Sequence, residues 1–160
     1  MTEASYSEHL AHWISELRHD DLPEAVREDA KLRVLDILGT TLAASTLESS
    51  RIIRDGALTT GPGDEARIMG FGDKAATTGA ALANGTMAHA LDYDDTHLGS
   101  VVHISAPVVT TALALGEALS APGNTTLTAI VAGAETGCRI GSVAPKLFHQ
   151  QGYHATAVVG

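Results

Sequence analysis

Cysteine, aromatic residues and basic residues are all scarce in this 160-residue chain, and each scarcity narrows what it can be. Cys138 is the single cysteine, so no internal disulfide can form and a CxxC-type zinc site is excluded, which fits a reducing compartment. Aromatic residues make up only 4% of a chain that is 44% hydrophobic. Its core must therefore be built from Ala, Leu, Val and Ile on closely packed elements, which suits helices better than a β-sandwich. Ten Lys and Arg residues stand against 19 Asp and Glu, a formal charge of −9. Phosphate recognition needs a basic surface, so the balance argues against a nucleic-acid partner. Small anionic substrates stay open, because a local pocket can be cationic on an acidic protein. Long apolar runs are missing too: those near Val108 and Ile130 are broken by Glu117 and Glu135, within spans too short for a bilayer. Met1 to Trp13 lacks the basic region and apolar run of a leader, so the expectation is a cytoplasmic protein with no membrane segment.

What is present reads as all-α, a helical bundle-like domain with at most one short strand near 66–71. Tyr6, Leu10, Trp13, Ile14 and Leu17 fall at helical spacing behind Ser7, an expected N-cap. Pro23 suits a first helical turn. The helix it opens runs to about Ala44, with Val26, Leu32, Val34, Leu35 and Leu38 expected inward and Gly39 expected at a close helix contact. A short helix is predicted from Ser50 to Leu58, and Gly61-Pro62-Gly63-Asp64 then forces a turn. Arg67 to Gly72 is the one segment without helical character. Asp73 is expected to cap an Ala-rich helix from Ala75. Further helices are predicted at Ser105–Leu119, Thr125–Val143 and from Tyr153 onward, the last with no stop signal before Gly160.

The stretch from Asn84 to His103 stands out as an active-site segment. Asn84 to His97 alone holds three carboxylates, two imidazoles and two threonines in fourteen residues of an otherwise apolar chain. Burying so many polar groups is costly unless they satisfy one another, water or a ligand. If the helix from Ala75 continues through them, His89, Asp92 and Thr96 share one face while Asp94 points elsewhere. Gly99 then ends the helix, and a loop returns His103 toward that face before Pro107. A histidine at such an entrance can exchange a proton with substrate near neutral pH. The bland alternative is a solvated helix end with His89 as a hydrogen-bonded core histidine. Cys138 reads as packing, and Gly133, Gly137 and Gly141, four residues apart, as a close helix contact.

Three other patterns fit parts of the segment. Asp92-Tyr93-Asp94-Asp95-Thr96 matches the DxDxT nucleophile motif of haloacid-dehalogenase-like phosphatases, but that motif follows a β-branched strand and Met87 to Leu91 is helical in character. It also matches the DxDD acid of class II terpene cyclases, whose pockets need many aromatic walls. A divalent metal held by Asp92, Asp95, His97 and His103 is chemically reasonable, although no HExxH or EF-hand spacing supports it.

Taken together, Leu82-Ala83-Asn84-Gly85-Thr86, His89-Ala90-Leu91-Asp92-Tyr93-Asp94-Asp95-Thr96, Val102-His103, Ser105-Ala106-Pro107 and Gly152-Tyr153-His154 with Thr156 to Gly160 resemble the MmgE/PrpD family. Leu22-Pro23 and Leu35-Asp36-Ile37-Leu38-Gly39 extend the likeness over essentially the whole chain. The resemblance implies a lyase that needs no cofactor or metal, usually a homodimer, acting on small di- or tricarboxylates such as 2-methylcitrate or cis-aconitate by dehydration, decarboxylation or epimerisation. It implies His103 as the proton-transfer group with Asp92 and Thr96 orienting substrate or imidazole, and His154 and Asp95 as substrate-binding residues. It also implies that residues 1–160 are part of a larger helical domain whose remainder, with an α+β lid domain, lies beyond this chain. The family's later lysines have no counterpart among Lys31, Lys74 and Lys146, so the isolated chain is expected to be nearly inactive. Ile104 departs from the proline the family usually carries after the histidine. A helical subunit completed by a partner chain is the competing expectation.

Overall fold

A computed structural model describes residues 5–144 and 146–160. Among them are eight α-helices, one 3-10 turn at His19–Asp21 and a two-stranded hairpin, so the all-α expectation holds, although the one short strand expected near 66–71 is paired with a second at Lys74–Ala75. No helix of the described residues is long and apolar enough to cross a membrane.

The first helix, α1 (Tyr6–Glu16), is capped by Ser5 rather than Ser7, because Ser5 and Glu8 close a reciprocal capping box that satisfies the first free amides. It buries none of its side chains, and Trp13 and Ile14 remain substantially exposed. Helix α2 (Glu24–Ala44) follows Pro23 as expected, but its buried residues are Ala30, Ile37, Thr40, Thr41 and Ala44, with Val34 packed partly buried against the core as expected. Leu32 and Leu35 lie outside, 65% and 66% exposed. The helix is apolar on more than one face, so spacing alone could not choose between them. Gly39 corrects its own expectation: a Cβ there would meet nothing within 4 Å.

Helix α3 (Glu48–Thr60) leads to strands β1 (Ala66–Arg67) and β2 (Lys74–Ala75), antiparallel with Ala66 opposite Ala75. Gly70 and Gly72 sit at φ 80° and 78°, a backbone that glycine adopts without a Cβ penalty, and they turn the chain between the strands. Asp73 does not cap the next helix but pairs with Arg54 at 2.8 Å. Instead Glu65, across the hairpin, accepts both the Thr77 amide (2.8 Å) and its hydroxyl (2.6 Å). Those two bonds hold the Glu65 carboxyl below its ordinary pKa.

Helix α4 (Thr77–His89) is the centre of the molecule, packed against α2, α3 and α5 (Ser105–Ala118). Its buried residues are Gly79, Ala80, Ala83, Asn84, Met87 and Ala88, small enough to let neighbouring backbones approach. Asn84, placed by sequence in the active-site segment, is a clamp: its Oδ1 accepts the Met69 amide and its Nδ2 donates to the Arg67 carbonyl, both at 2.9 Å. That satisfies a buried amide on both sides. Helix α6 (Gly123–Val143) packs on α5, and the short α7 (Leu147–Gln150) and α8 (Ala155–Val159) close the chain.

Gly133, Gly137 and Gly141 form the surface of α6 that receives residues 100–108. A Cβ on Gly133 would stand 2.8 Å from Val108 Cγ1, one on Gly141 2.9 Å from Val102 Cγ2, and one on Gly137 would overlap Ile104 Cδ1. Ile104, 1% exposed, thus anchors the residue after His103 in a slot made by an absent side chain. Val102, Ile104 and Ala155 form one buried cluster, with Cys138 and Phe148 against it. Burial raises the Cys138 thiol pKa, consistent with a packing role rather than a reactive thiolate.

Candidate active site

Helix α4 stops at His89, not beyond Asp92, and this relocates the polar segment. The Asp92 amide donates to the His89 carbonyl (2.9 Å) and Asp92 turns into the left-handed region at φ 51°, a conformation Asp tolerates better than most residues. After Asp95 the chain makes a tight reversal: the His97 amide donates to the Val102 carbonyl (2.9 Å) and the Val101 amide to the His97 carbonyl (2.8 Å). The left-handed residue of that reversal is Val101, at φ 55°, and not Gly99. A β-branched residue is strained there.

The reversal brings His103 back over the end of α4. Its ring centroid lies 4.9 Å from that of His89 and 5.8 Å from that of His154, which stacks on it at 27°. His149 extends the group, 6.1 Å from His154. Beneath them lies Asp94, whose side chain is fully buried at 0% exposure. Asp94 Oδ1 is 2.8 Å from His89 Nδ1 and 3.6 Å from His103 Nδ1. Thr96 Oγ1 is 3.4 Å from the same His103 nitrogen, so Nδ1 of His103 faces inward and Nε2 is the nitrogen left to meet a ligand. The His103 amide donates to Thr156 Oγ1 at 2.9 Å, tying the loop to α8, whose N-cap is His154.

Of the residues singled out from sequence, the fold gathers Asp92, Thr96, His103 and His154 around one point. Asp92 is exposed at its rim. Asp95 faces away from the histidines into a separate network. It accepts the Ser105 amide (3.1 Å) and hydroxyl (2.7 Å) at the first turn of α5 and pairs with Arg33. A carboxylate there complements the helix N-terminus. Arg33 also donates to Asp29 at 2.7 Å. That bond, with the charges of Asp29 and Asp95, raises the guanidinium pKa above its ordinary value against the opposing effect of burial. His97 is occupied by the Ser100 hydroxyl at 2.7 Å. The metal set drawn from sequence therefore loses Asp95 and His97.

Asp94 and Thr156 are the residues sequence reasoning passed over, while His89 was set on one face with Asp92 and Thr96 but given no role. Asp94 was put on the wrong face by extending α4 too far. The run of aspartates from Asp92 to Asp95 is itself a turn signal that could have ended the helix earlier. Thr156 carries no motif of its own. Of the lysines, Lys31 pairs with Glu28 and Lys74 with Asp64, while Lys146 is the N-cap residue of the short helix that carries His149.

A buried carboxylate beneath a layer of imidazoles is an arrangement that can hold and move protons. The model of the MmgE/PrpD N-terminal domain matches residues 8–160. The chain belongs to the MmgE/PrpD family. Among its relatives, a cis-aconitate decarboxylase of Aspergillus terreus is 29% identical over 157 residues, covering 94% of this chain and 32% of that protein. A cis-aconitate decarboxylase-like protein, oryM, of Aspergillus oryzae is 27% identical over 147 residues, 88% of this chain and 30% of that protein. The chain thus spans about a third of the length of these relatives. No solved structure matches significantly.

Proposed function

We propose that this chain forms the proton-transfer wall of a lyase acting on a small di- or tricarboxylate, with cis-aconitate and 2-methylcitrate the first candidates. The observation that carries the reading is the placement of His103 over buried Asp94 and beside Thr96 and His154. Asp94 and Thr96 hold Nδ1, so Nε2 of His103 takes up or delivers the proton α or β to a substrate carboxylate. Asp94 stabilises the imidazolium that forms, as an orienting carboxylate does for other catalytic histidines. His154 and Asp92, at the mouth, meet the substrate's polar groups. Loss of carbon dioxide or of water from such a substrate passes through charge delocalised onto a carboxylate, which cationic donors must stabilise. Arg33, Lys31 and Lys74 are engaged with acidic partners and are not free to act as those donors. The family's relatives, three times as long, make chain beyond residue 160 or a partner polypeptide the source.

The decisive experiment follows carbon dioxide release from cis-aconitate and dehydration of 2-methylcitrate, first by the 160-residue chain and then by the longest polypeptide of its reading frame. Weak or no turnover by the short chain and His103-dependent turnover by the longer one is the expected outcome. Activity appearing only after a second polypeptide is added supports the split-subunit form. Equal turnover in the His103→Ala variant overturns the assignment.

A further inference from the structure

The same histidines and aspartates also form a donor set of a kind that holds metal. One donor atom from each of His89, Asp92, Asp94 and His103 lies within 4.8 Å of the others. Two imidazoles and two carboxylates suit a borderline divalent cation such as Zn²⁺, Co²⁺ or Ni²⁺, and not Mg²⁺ or Ca²⁺, which prefer all-oxygen shells. A tetrahedral zinc shell with bonds of about 2.0–2.2 Å is more compact than the present spread. The half-exposed His89 and exposed Asp92 have the freedom to contract onto it.

A second observation points to a ligand independently of that grouping. Asp94 Oδ2 is buried and has no hydrogen-bond partner among the described residues, although its side chain is wholly withdrawn from solvent. An unsatisfied charged oxygen in that position costs stability unless a donor or cation reaches it. Its sister oxygen already stands between the His89 and His103 rings, so the carboxylate is directed into the cluster. The exposed rim at Asp92 gives a hydrated ion a way in.

We infer that this cluster is a binding site for one borderline divalent transition-metal ion, ligated by His89, Asp94, His103 and, at the rim, Asp92. The ion takes the His103 ring that the proposed lyase chemistry uses, so metal occupancy and proton transfer exclude one another and the metal is an inhibitor rather than a cofactor. The binding claim itself rests on the donor geometry and the unpartnered Asp94 oxygen and is independent of the proposed activity.

The test uses the 160-residue chain with Zn²⁺ and Co²⁺ as probes, reading Zn²⁺ binding by calorimetry and Co²⁺ coordination by its visible ligand-field bands. One equivalent is expected to bind, with intense bands of low-symmetry Co²⁺ coordination. His89→Gln and Asp94→Asn should each weaken binding by at least about tenfold, the lower end of what even outer-shell substitutions cost metal sites. His9→Gln with His12→Gln, at exposed positions of α1, should leave it unchanged. Circular dichroism of each variant shows whether it is folded, and His89→Gln, at a half-exposed position, keeps the test decisive if Asp94→Asn is not. Absence of stoichiometric binding overturns the inference. So does binding that survives in folded His89→Gln, or binding lost with the α1 histidines.

Discussion

An open apolar cleft and the histidine cluster lie in different places on the molecule. The cleft, about 1250 Å³, opens between α1 and α6 and is walled by Leu10, Trp13 and Ile14 on one side and Ile140 and Val143 on the other. Its charged members, Glu135 and Arg139, pair with each other. At the histidine cluster, by contrast, a buried carboxylate, three imidazoles and a threonine hydroxyl converge. Empty volume reports how loosely two elements meet, and α1, which buries nothing, meets its neighbours loosely. Polar groups converging over a carboxylate withdrawn from water report something a fold keeps at a cost, and they locate chemistry better.

The strongest way to break that contrast is to damage each region in turn. In the longest natural polypeptide, His103→Ala should lower turnover by about 10²- to 10⁴-fold, the usual worth of a positioned acid–base group, while Trp13→Ala leaves it unchanged; steady-state assays of both variants decide. Asp94→Asn comes next. It should reduce turnover by at least about tenfold, below the about 10⁴-fold that loss of the orienting carboxylate costs a Ser-His-Asp triad. Its pH–rate profile should shift as well, which a purely structural role would not produce.

The backing of the cluster can be separated from its front by stability alone. Gly137→Ala drives a methyl into Ile104 and should cost about 1–3 kcal/mol in urea unfolding, the usual penalty for overpacking. Gly39→Ala, with open space around it, should instead gain up to about 1 kcal/mol from helix propensity. A smaller effect concerns Glu65. Its folded pKa is depressed by Thr77, so its stabilising contribution is present above the ordinary carboxylate pKa and lost as pH falls through the depressed value. The melting-temperature difference between the chain and Glu65→Ala should accordingly shrink in acid. Smallest of all, Cys138 should alkylate more slowly than a free thiol at neutral pH, since burial raises its pKa.

Much of the scaffold was legible because punctuation residues mark it. Pro23 stands at the start of α2 and Ser105-Ala106-Pro107 at the start of α5, within a residue of expectation. The glycines of α6 do face a close contact, and Ile104 explains what fills it. Two things were not legible, each for a physical reason. The inward face of α2 is ambiguous because Leu32 and Leu35 are as apolar as Ile37, and only tertiary packing selects the stripe. The end of α4 is ambiguous because Met87 to Leu91 keep helical spacing up to the aspartates. That error propagated: it sent Asp94 outward on paper, whereas the real break at His89 turns it underneath the imidazoles. His103 and His154 stood out by motif, but their stacking depends on Thr156 holding the His103 amide across 53 residues of sequence, which no local pattern records.

The central claim is that a polycarboxylate meets this chain at the histidine cluster and not in the cleft between α1 and α6. Nitrogen-resolved NMR of the histidine rings, followed while cis-aconitate is added to the 160-residue chain, tests it most directly. The account predicts shifts at His103, His154 and His89 with His9 and His12 unmoved. Shifts confined to His9, His12 or His97, or no shift at any ring, would contradict it.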